Sequence, residues 1–388
     1  MINSIELFTG AGGLAMGMGM AGCQHHALIE WDKNSCDTLR GNIKMGNNSI
    51  SNCEVIQEDI RSIDYSKFND SIQIIAGGPP CQPFSLGGKR KAHNDVRDMF
   101  PEAVRAVREI KPKAFVFENV KGLLRKSFAT YFNYILLQLT YPDCPKKEFE
   151  DWAGHLSRLE KIHTSGHYMG IQYHVVPRLL NAADYGVPQL RYRVIIVGFR
   201  EDLGIEWTFP DGDFSKDALL YSQIITCEYW DEHKIAAKDR LVFSDVDINR
   251  AQIFKDKYSS RQDAPKRWLT VRDAIGDLPA PTNANSKEIP NHEFRPGARS
   301  YTGHTGSIMD EPSKTIKAGA HGVPGGENTI VLSDGSIRYY TVRESARIQT
   351  FPDEYLFFGS WTESMRQIGN AVPVKLAQMV GNSVVSML

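Results

Sequence analysis

The chain has 388 residues, 41% of them hydrophobic and 10% aromatic, enough for a full core and, by length, for two or three domains. A formal net charge of −1 excludes a globally basic coat, so any nucleic-acid surface has to be a local gathering of cations. No apolar run approaches the ~20 residues that span a bilayer, and MINSIELFTG lacks the basic start and apolar centre of a signal peptide, so a cytoplasmic protein is expected. The six cysteines, Cys23, Cys36, Cys53, Cys81, Cys144 and Cys227, never form a C-x-x-C pair. Neither a zinc site nor a disulfide framework is written here, and a reduced compartment fits.

The first element is a strand, SIELF, closed at Phe8 by a turn with Gly10, Gly12 and Gly13 that runs into a helix. Glycines there allow positive φ and close approach of a ligand, and the helix start offers unpaired N–H groups. The spacing is not G-x-G-x-x-G, so the turn suits a nucleotide-like cofactor or plain turn chemistry without carrying the dinucleotide fingerprint. The second strand, HHALIE, ends at Trp31-Asp32 and places Glu30 about twenty positions after the turn, suited to a ribose hydroxyl pair. A third strand edge carries Asp59 and Ile60, candidates for an adenine edge.

The fourth strand, SIQIIAGG, runs into Pro79, Pro80 and Cys81. Proline fixes its own φ and restricts the residue before it, so Pro79, Pro80 and Gln82 are confined and the Cys81 side chain is held in one direction. A lone cysteine is commonly inert core, but one flanked by prolines outside any apolar periodicity is poor core material. From Lys89 to Lys126 the basic residues outnumber the acids by about two to one, which fits either a solvated helix face or a phosphate-binding segment.

A fifth strand, KAFVFENV, delivers Glu118 after three apolar residues, where a carboxyl is a candidate proton donor with a raised pKa. Further on, YGVPQLRYRVIIVGF sets Gln189, Arg191 and Arg193 at alternate positions, expected on one face of an extended segment, either aimed at an electron-rich target or guarding an exposed edge strand with charge. Strands alternating with helices imply parallel βαβ units, an open α/β sheet and ligands at the carboxyl ends of strands. Residues 1–209 are expected to form this domain. Residues 210–340, with a polar, Gly- and Pro-rich core near 279–335, are expected to form a second, and helices in 341–388 to return to the first.

With these residues set out, the chain resembles the DNA (cytosine-5) methyltransferase family, in order along nearly its whole length. The resemblance rests on Phe8 to Gly13, Glu30-Trp31, Asp59-Ile60, Gly78 to Ser85, Glu118 to Val120, Gln189 to Arg193, Thr341 to Phe351 and Gly369 to Pro373. It departs at Glu6, where the family usually has Asp, and at Leu190 and Tyr192, where polar residues are commoner.

The resemblance implies a Rossmann-like methyltransferase sheet with a smaller, irregular target-recognition domain, and S-adenosylmethionine as cofactor with no metal. Phe8, Gly10, Gly12, Gly13, Glu30, Trp31, Asp59, Ile60, Pro80, Asn370 and Val372 would bind it. Cys81 would attack C6 of a flipped cytosine, protonated Glu118 would bond N3, and Arg193, with Arg191 also assigned to catalysis, would stabilise charge at O2. Gln82, Ser85, Lys89, Arg90, Arg97 and Gln189 would contact double-stranded DNA, and Arg295, Arg299, Lys317 and His321 would read bases.

The implied setting is a nucleoid-associated monomer of a prokaryotic or phage restriction–modification system, with a cognate endonuclease as functional partner. With Met1 so near the cofactor turn, no regulatory N-terminal domain is expected. Three rivals are weighed. A transfer-RNA methyltransferase of the same architecture would carry Cys-Phe-Thr, which does not occur; a nicotinamide dehydrogenase would carry its glycine fingerprint; an inactive DNA-binding homologue would not need Cys81, Glu118 and Arg193 intact.

Overall fold

The computed structural model describes residues 2–47, 49–50, 52–68, 71–80, 98–258, 261–299, 305–319 and 328–388. The chain forms two compact units: Met1–Leu180, Tyr192–Pro210 and Ala377–Leu388 in the first, Asn181–Arg191 and Asp211–Leu376 in the second.

The first unit is an α/β layer structure. Its sheet takes β1 (Ile2–Leu7), β2 (Cys23–Glu30), β3 (Glu54–Gln57), β4 (Ile74–Gly77), β5 (Ala114–Val120), β6 (Tyr173–Asn181) and β7 (Tyr192–Arg200) in the order β3-β2-β1-β4-β5-β7-β6. β1 pairs in parallel with β2 and with β4, β2 with β3 and β4 with β5, whereas β7 runs antiparallel to β5. The chain builds outward from β1 on one side, then resumes on the other at β4. The crevice at the carboxyl ends of β1 and β4 is therefore the topological switch point, where open α/β sheets bind ligands. β1 and β4 approach so closely that a Cβ on Gly77 would stand 2.6 Å from the Leu7 carbonyl oxygen.

One face is covered by α3 (Phe100–Ile110), α4 (Ala129–Thr140) and α5 (Trp152–Ser165), with α1 (Gly13–Met20) and α2 (Lys33–Lys44) completing the unit's crossovers. In α3, Phe100, Ala103, Val104, Val107 and Ile110 recur at the helical period and join the buried core with Ile5, Leu7, Phe115 and Phe117. Left-handed Lys111 ends the helix and Pro112 bars its continuation. The C-terminal tail packs as tightly on α1: a Cβ on Gly381 would sit 2.9 Å from Ala21 Cβ and 3.0 Å from Met18 Sδ.

Next to α1, the alternating residues of β1 bury polar groups. The His25 ring lies 2.8 Å from the Ala15 carbonyl through Nε2 and 3.0 Å from Ser4 Oγ through Nδ1, an arrangement that suits a neutral ring donating from Nε2 and accepting at Nδ1. Burial lowers its pKa from the ordinary 6.5 to about 4. Between those values the unfolded chain binds a proton that the folded chain refuses, so stability rises with pH across this window and is lost on acidification, by up to roughly 3 kcal/mol. Buried Glu6, its carboxyl pushed well up by desolvation, works with the opposite sign. Urea unfolding at pH 7 and pH 5 should show a smaller acid-side loss in His25→Gln than in the parent; equal losses would refute the assignment.

The second unit has little regular structure. Ser307–Ile308, Thr329–Val331 and Ile337–Tyr339 make a three-stranded sheet, Phe214–Ser215 pairs with Lys266–Arg267, and Asp245–Tyr258 is its longest helix among the described residues. The chain passes through it first at Asn181–Arg191, enters it again after Pro210, beside the boundary expected after Phe209, and rejoins the first unit at Ala377 rather than at Thr341. The reason is local bonding: the buried Arg343 guanidinium donates to the carbonyls of Pro290, Pro352 and Tyr355, and Glu344 takes both Arg338 and the Thr341 N–H.

Candidate active site

At the end of β1 the backbone turns through Phe8, Gly10 and Gly12, all with positive φ (56°, 56° and 81°). For a bulky residue such as Phe8 this conformation is costly and persists only where the surroundings impose it. A Cβ on Gly10 would meet nothing within 4 Å, so the space before the turn is open. The Gly10 N–H donates to Glu30 Oε2 at 2.7 Å, while Glu30 Oε1 accepts from the Trp31 and Asp32 N–H groups at 3.0 and 2.9 Å. Glu30 thus ties the ends of β1 and β2 together. About four acceptor directions exist on a carboxylate and three are taken, which leaves one on Oε2 for a ligand rather than a pair. Burial raises the Glu30 pKa despite these bonds, and Trp31 beside it is 72% exposed.

After β3, Asp59 caps a short turn by accepting the Arg61 N–H and holds the Arg61 guanidinium through both carboxylate oxygens. That pairing draws its pKa down to about 2. Ile60 is buried. Arg61 takes three of the roughly four acceptor directions on the carboxylate, which leaves one on Oδ2 for an adenine edge.

β4 ends at Gly77, and the chain continues through Gly78, buried Pro79 and exposed Pro80. Asn119, near the end of the neighbouring strand, donates from Nδ2 to the Pro79 carbonyl at 3.0 Å and accepts the Val120 N–H at Oδ1 (2.9 Å). This buried amide fixes the proline turn to β5, two residues before Cys81. The sequence shows Asn119 within the Glu118–Val120 motif but gives no sign of this bond, because its partner lies 40 residues away.

Glu118 pairs across the ladder with Ile195, which makes Arg193 its diagonal neighbour on the same face, within reach of a long side chain. Arg193 Nε lies 2.5 Å from Glu118 Oε1, and Nη1 donates to the Tyr192 carbonyl at 2.8 Å. The Nε–H is not aimed at the oxygen, so the contact is an ion pair rather than an aligned hydrogen bond. Burial presses the Arg193 pKa down and Glu118 opposes it. A carboxyl and a guanidinium held together at a strand end can divide between an acceptor and a donor on a planar heterocycle.

The expected row of three donors is not a row. β7 begins at Tyr192, and Gln189 and Arg191 lie before it in the second unit, both fully buried. Gln189 donates to Gln349 Oε1 at 3.0 Å and accepts the Ile316 N–H at 2.9 Å. Arg191 donates to the carbonyls of Ile316, Gly369 and Ala371 at 3.0, 2.7 and 2.9 Å. Both are held inside the second unit, Gln189 by a side-chain amide and a backbone N–H and Arg191 by backbone carbonyls, instead of sharing a strand face with Arg193.

In the second unit Arg295 is exposed with its guanidinium 5.5 Å from the Trp361 ring, Arg299 is exposed and Lys317 half-buried; Asn370 ends the helix Trp361–Asn370 and Val372 is buried. Cys81, Gln82, Ser85, Lys89, Arg90, Arg97 and His321 lie outside the described residues. A cleft lined by Ile72, Gln73, Glu109, Lys111, Lys113 and Arg200 sits at the amino ends of β4 and β5, the wrong end of the sheet for this chemistry.

The family model for C-5 cytosine-specific DNA methylases matches residues 2–141 and 155–386. The Type II methyltransferase M.Eco47II of Escherichia coli is 34% identical over 391 residues, spanning 99% of this chain and 79% of its own length. M.PspPI of Psychrobacter sp. (strain TA137), also a Type II methyltransferase, is 33% identical over 389 residues, with coverage of 99% and 79%. Among solved structures, a mutant of Spodoptera frugiperda DNMT2 gives a TM-score of 0.58 at 15% identity, covering 100% of this chain and 99% of that one, a likeness of fold alone.

Proposed function

The chain belongs to the C-5 cytosine-specific DNA methylase family, and on that premise we propose that it methylates C5 of a cytosine extruded from duplex DNA through a covalent Cys81–C6 adduct. It is a DNA (cytosine-5) methyltransferase. The family's methyl donor is S-adenosylmethionine, which supplies an electrophilic methyl on a sulfonium. The residues at the β1 end fit such a group: the open space before Gly10, the remaining acceptor direction on Glu30 Oε2 and exposed Trp31 would hold it.

The single observation that carries the reading is the joining of the proline turn to the Glu118–Arg193 pair through Asn119, at the carboxyl ends of adjacent strands beside the switch point. Cys81 thiolate adds to C6 of the cytosine and turns C5 into an enamine carbon, which takes the methyl. The C5 proton then leaves and the thiolate is expelled. Glu118 hydrogen-bonds N3, and Arg193 stabilises the charge that develops at O2. Reaching C5 requires the base to leave the stack, at a cost of a few kcal/mol. The names of the Type II relatives support a protective role beside a restriction endonuclease.

Bisulfite sequencing of DNA from cells expressing the protein should show one short sequence context protected at a single cytosine. Glu118→Gln should keep that context while lowering kcat by about 10²–10³-fold. Unmethylated DNA from cells making folded parent protein would overturn the reading.

A further inference from the structure

Directly after β5 the chain makes two short turns, Lys121–Leu124 and Lys126–Phe128, that expose Lys121, Arg125 and Lys126. No Asp or Glu occurs from residue 119 to residue 142, and among the described residues none of the three cations has a carboxylate within ion-pair distance. Arg61, Arg105, Arg158 and Arg200 of the same unit, in contrast, each sit against one. Lys121 is held by an aromatic ring instead. Its Nζ lies 4.5 Å from the centroid of Tyr192, which is 42% exposed. Lys121 and Tyr192 follow and precede the paired residues Val120 and Arg193, so they form the next step outward from the Glu118–Arg193 pair.

We propose that Lys121, Arg125 and Lys126 bind the phosphates of the target strand that flank the extruded nucleotide, with Tyr192 packing against its sugar. A nucleotide whose base reaches Glu118 and Arg193 must leave its sugar and both phosphates at the rim of that pocket, and the rim on the β5–β7 side carries these cations. A lysine fixed over a ring keeps its ammonium outward without being neutralised. The ligand is the sugar–phosphate backbone of DNA, contacted without regard to sequence. This inference rests on the DNA reading above and adds to the base-reading candidates of the second unit a clamp that acts on position alone.

The test is the salt dependence of DNA binding by the full chain, measured with cognate and scrambled duplexes. Each phosphate contact removed lowers the slope of log K against log salt by about 0.9, so the combined variant K121A/R125A/K126A should be shallower by about 2–3. It should then lose roughly forty-fold less affinity than the parent between ~50 and ~200 mM salt, by the same amount on both duplexes. The charge-preserving variant K121R/R125K/K126R should restore the slope. A control that removes three exposed cations elsewhere, K146A/K147A/K161A, should leave it unchanged. An unaltered slope in the first variant, or an equal drop in the control, overturns the proposal. A parent that binds and methylates no DNA would instead overturn the function it rests on.

Discussion

Cys81→Ser is expected to abolish methyl transfer to DNA, by at least about four orders of magnitude, while specific binding survives. The size follows from the chemistry. C5 of cytosine becomes nucleophilic only once a group has added to C6, and a serine hydroxyl, far less acidic than a thiol, offers almost no anion near neutral pH. Binding should persist because phosphate and base contacts do not use the sulfur. Two readouts separate these effects: transfer of a labelled methyl to cognate duplex, and trapping of a denaturation-resistant complex on duplexes carrying 5-fluorocytosine, where fluorine stands in place of the C5 proton and cannot leave, so the thiolate is not expelled. The parent should trap and the variant should not. Normal turnover in the serine variant would remove Cys81 from the mechanism.

Replacing Arg191 should act on folding instead. Arg191→Met keeps most of the volume but takes the guanidinium from the carbonyls of Ile316 and Gly369 and leaves Ala371 with the Gln349 amide alone, in a fully buried place. At about 1–3 kcal/mol for each orphaned group, and by analogy with the breaking of buried charged contacts, the loss should be about 3–5 kcal/mol. Arg191→Lys should recover little of it, since one ammonium cannot span three acceptors that the forked guanidinium reaches together. Urea unfolding and limited proteolysis would register the change. The kcat per folded molecule should remain close to the parent value. A variant that stays stable and loses only kcat would return Arg191 to the catalytic group.

The contrast between these two residues marks what could be seen in advance. Cys81 stood out because prolines constrain the backbone locally, and Phe8 to Gly13 because a strand that must turn sharply into a helix leaves its mark in glycines. The alternation of apolar runs with helical segments announced the α/β sheet for the same reason. Each of these signals is written within a few residues of where it acts.

Side-chain destinations were decided elsewhere. Gln189, Arg191 and Arg193 look equivalent at period two, yet the strand begins only at Tyr192, so Arg193 alone shares the ladder with Glu118. Arg191 bonds carbonyls 125, 178 and 180 residues away, and Gln189 bonds a side chain 160 residues away. No local pattern records where such partners arrive. The return to the first unit at Ala377 is of the same kind, since Arg343 and Glu344 find their acceptors and donors inside the second unit. By itself the sequence determined the alternation of strands with helices, the turn chemistry and the residue types at the strand ends, because these rest on backbone dihedral limits and short-range periodicity. The tertiary structure alone decided which donors gather beside Glu118 at the strand ends and which hold the fold together, because that depends on the buried acceptors that chain folding brings to each guanidinium and amide.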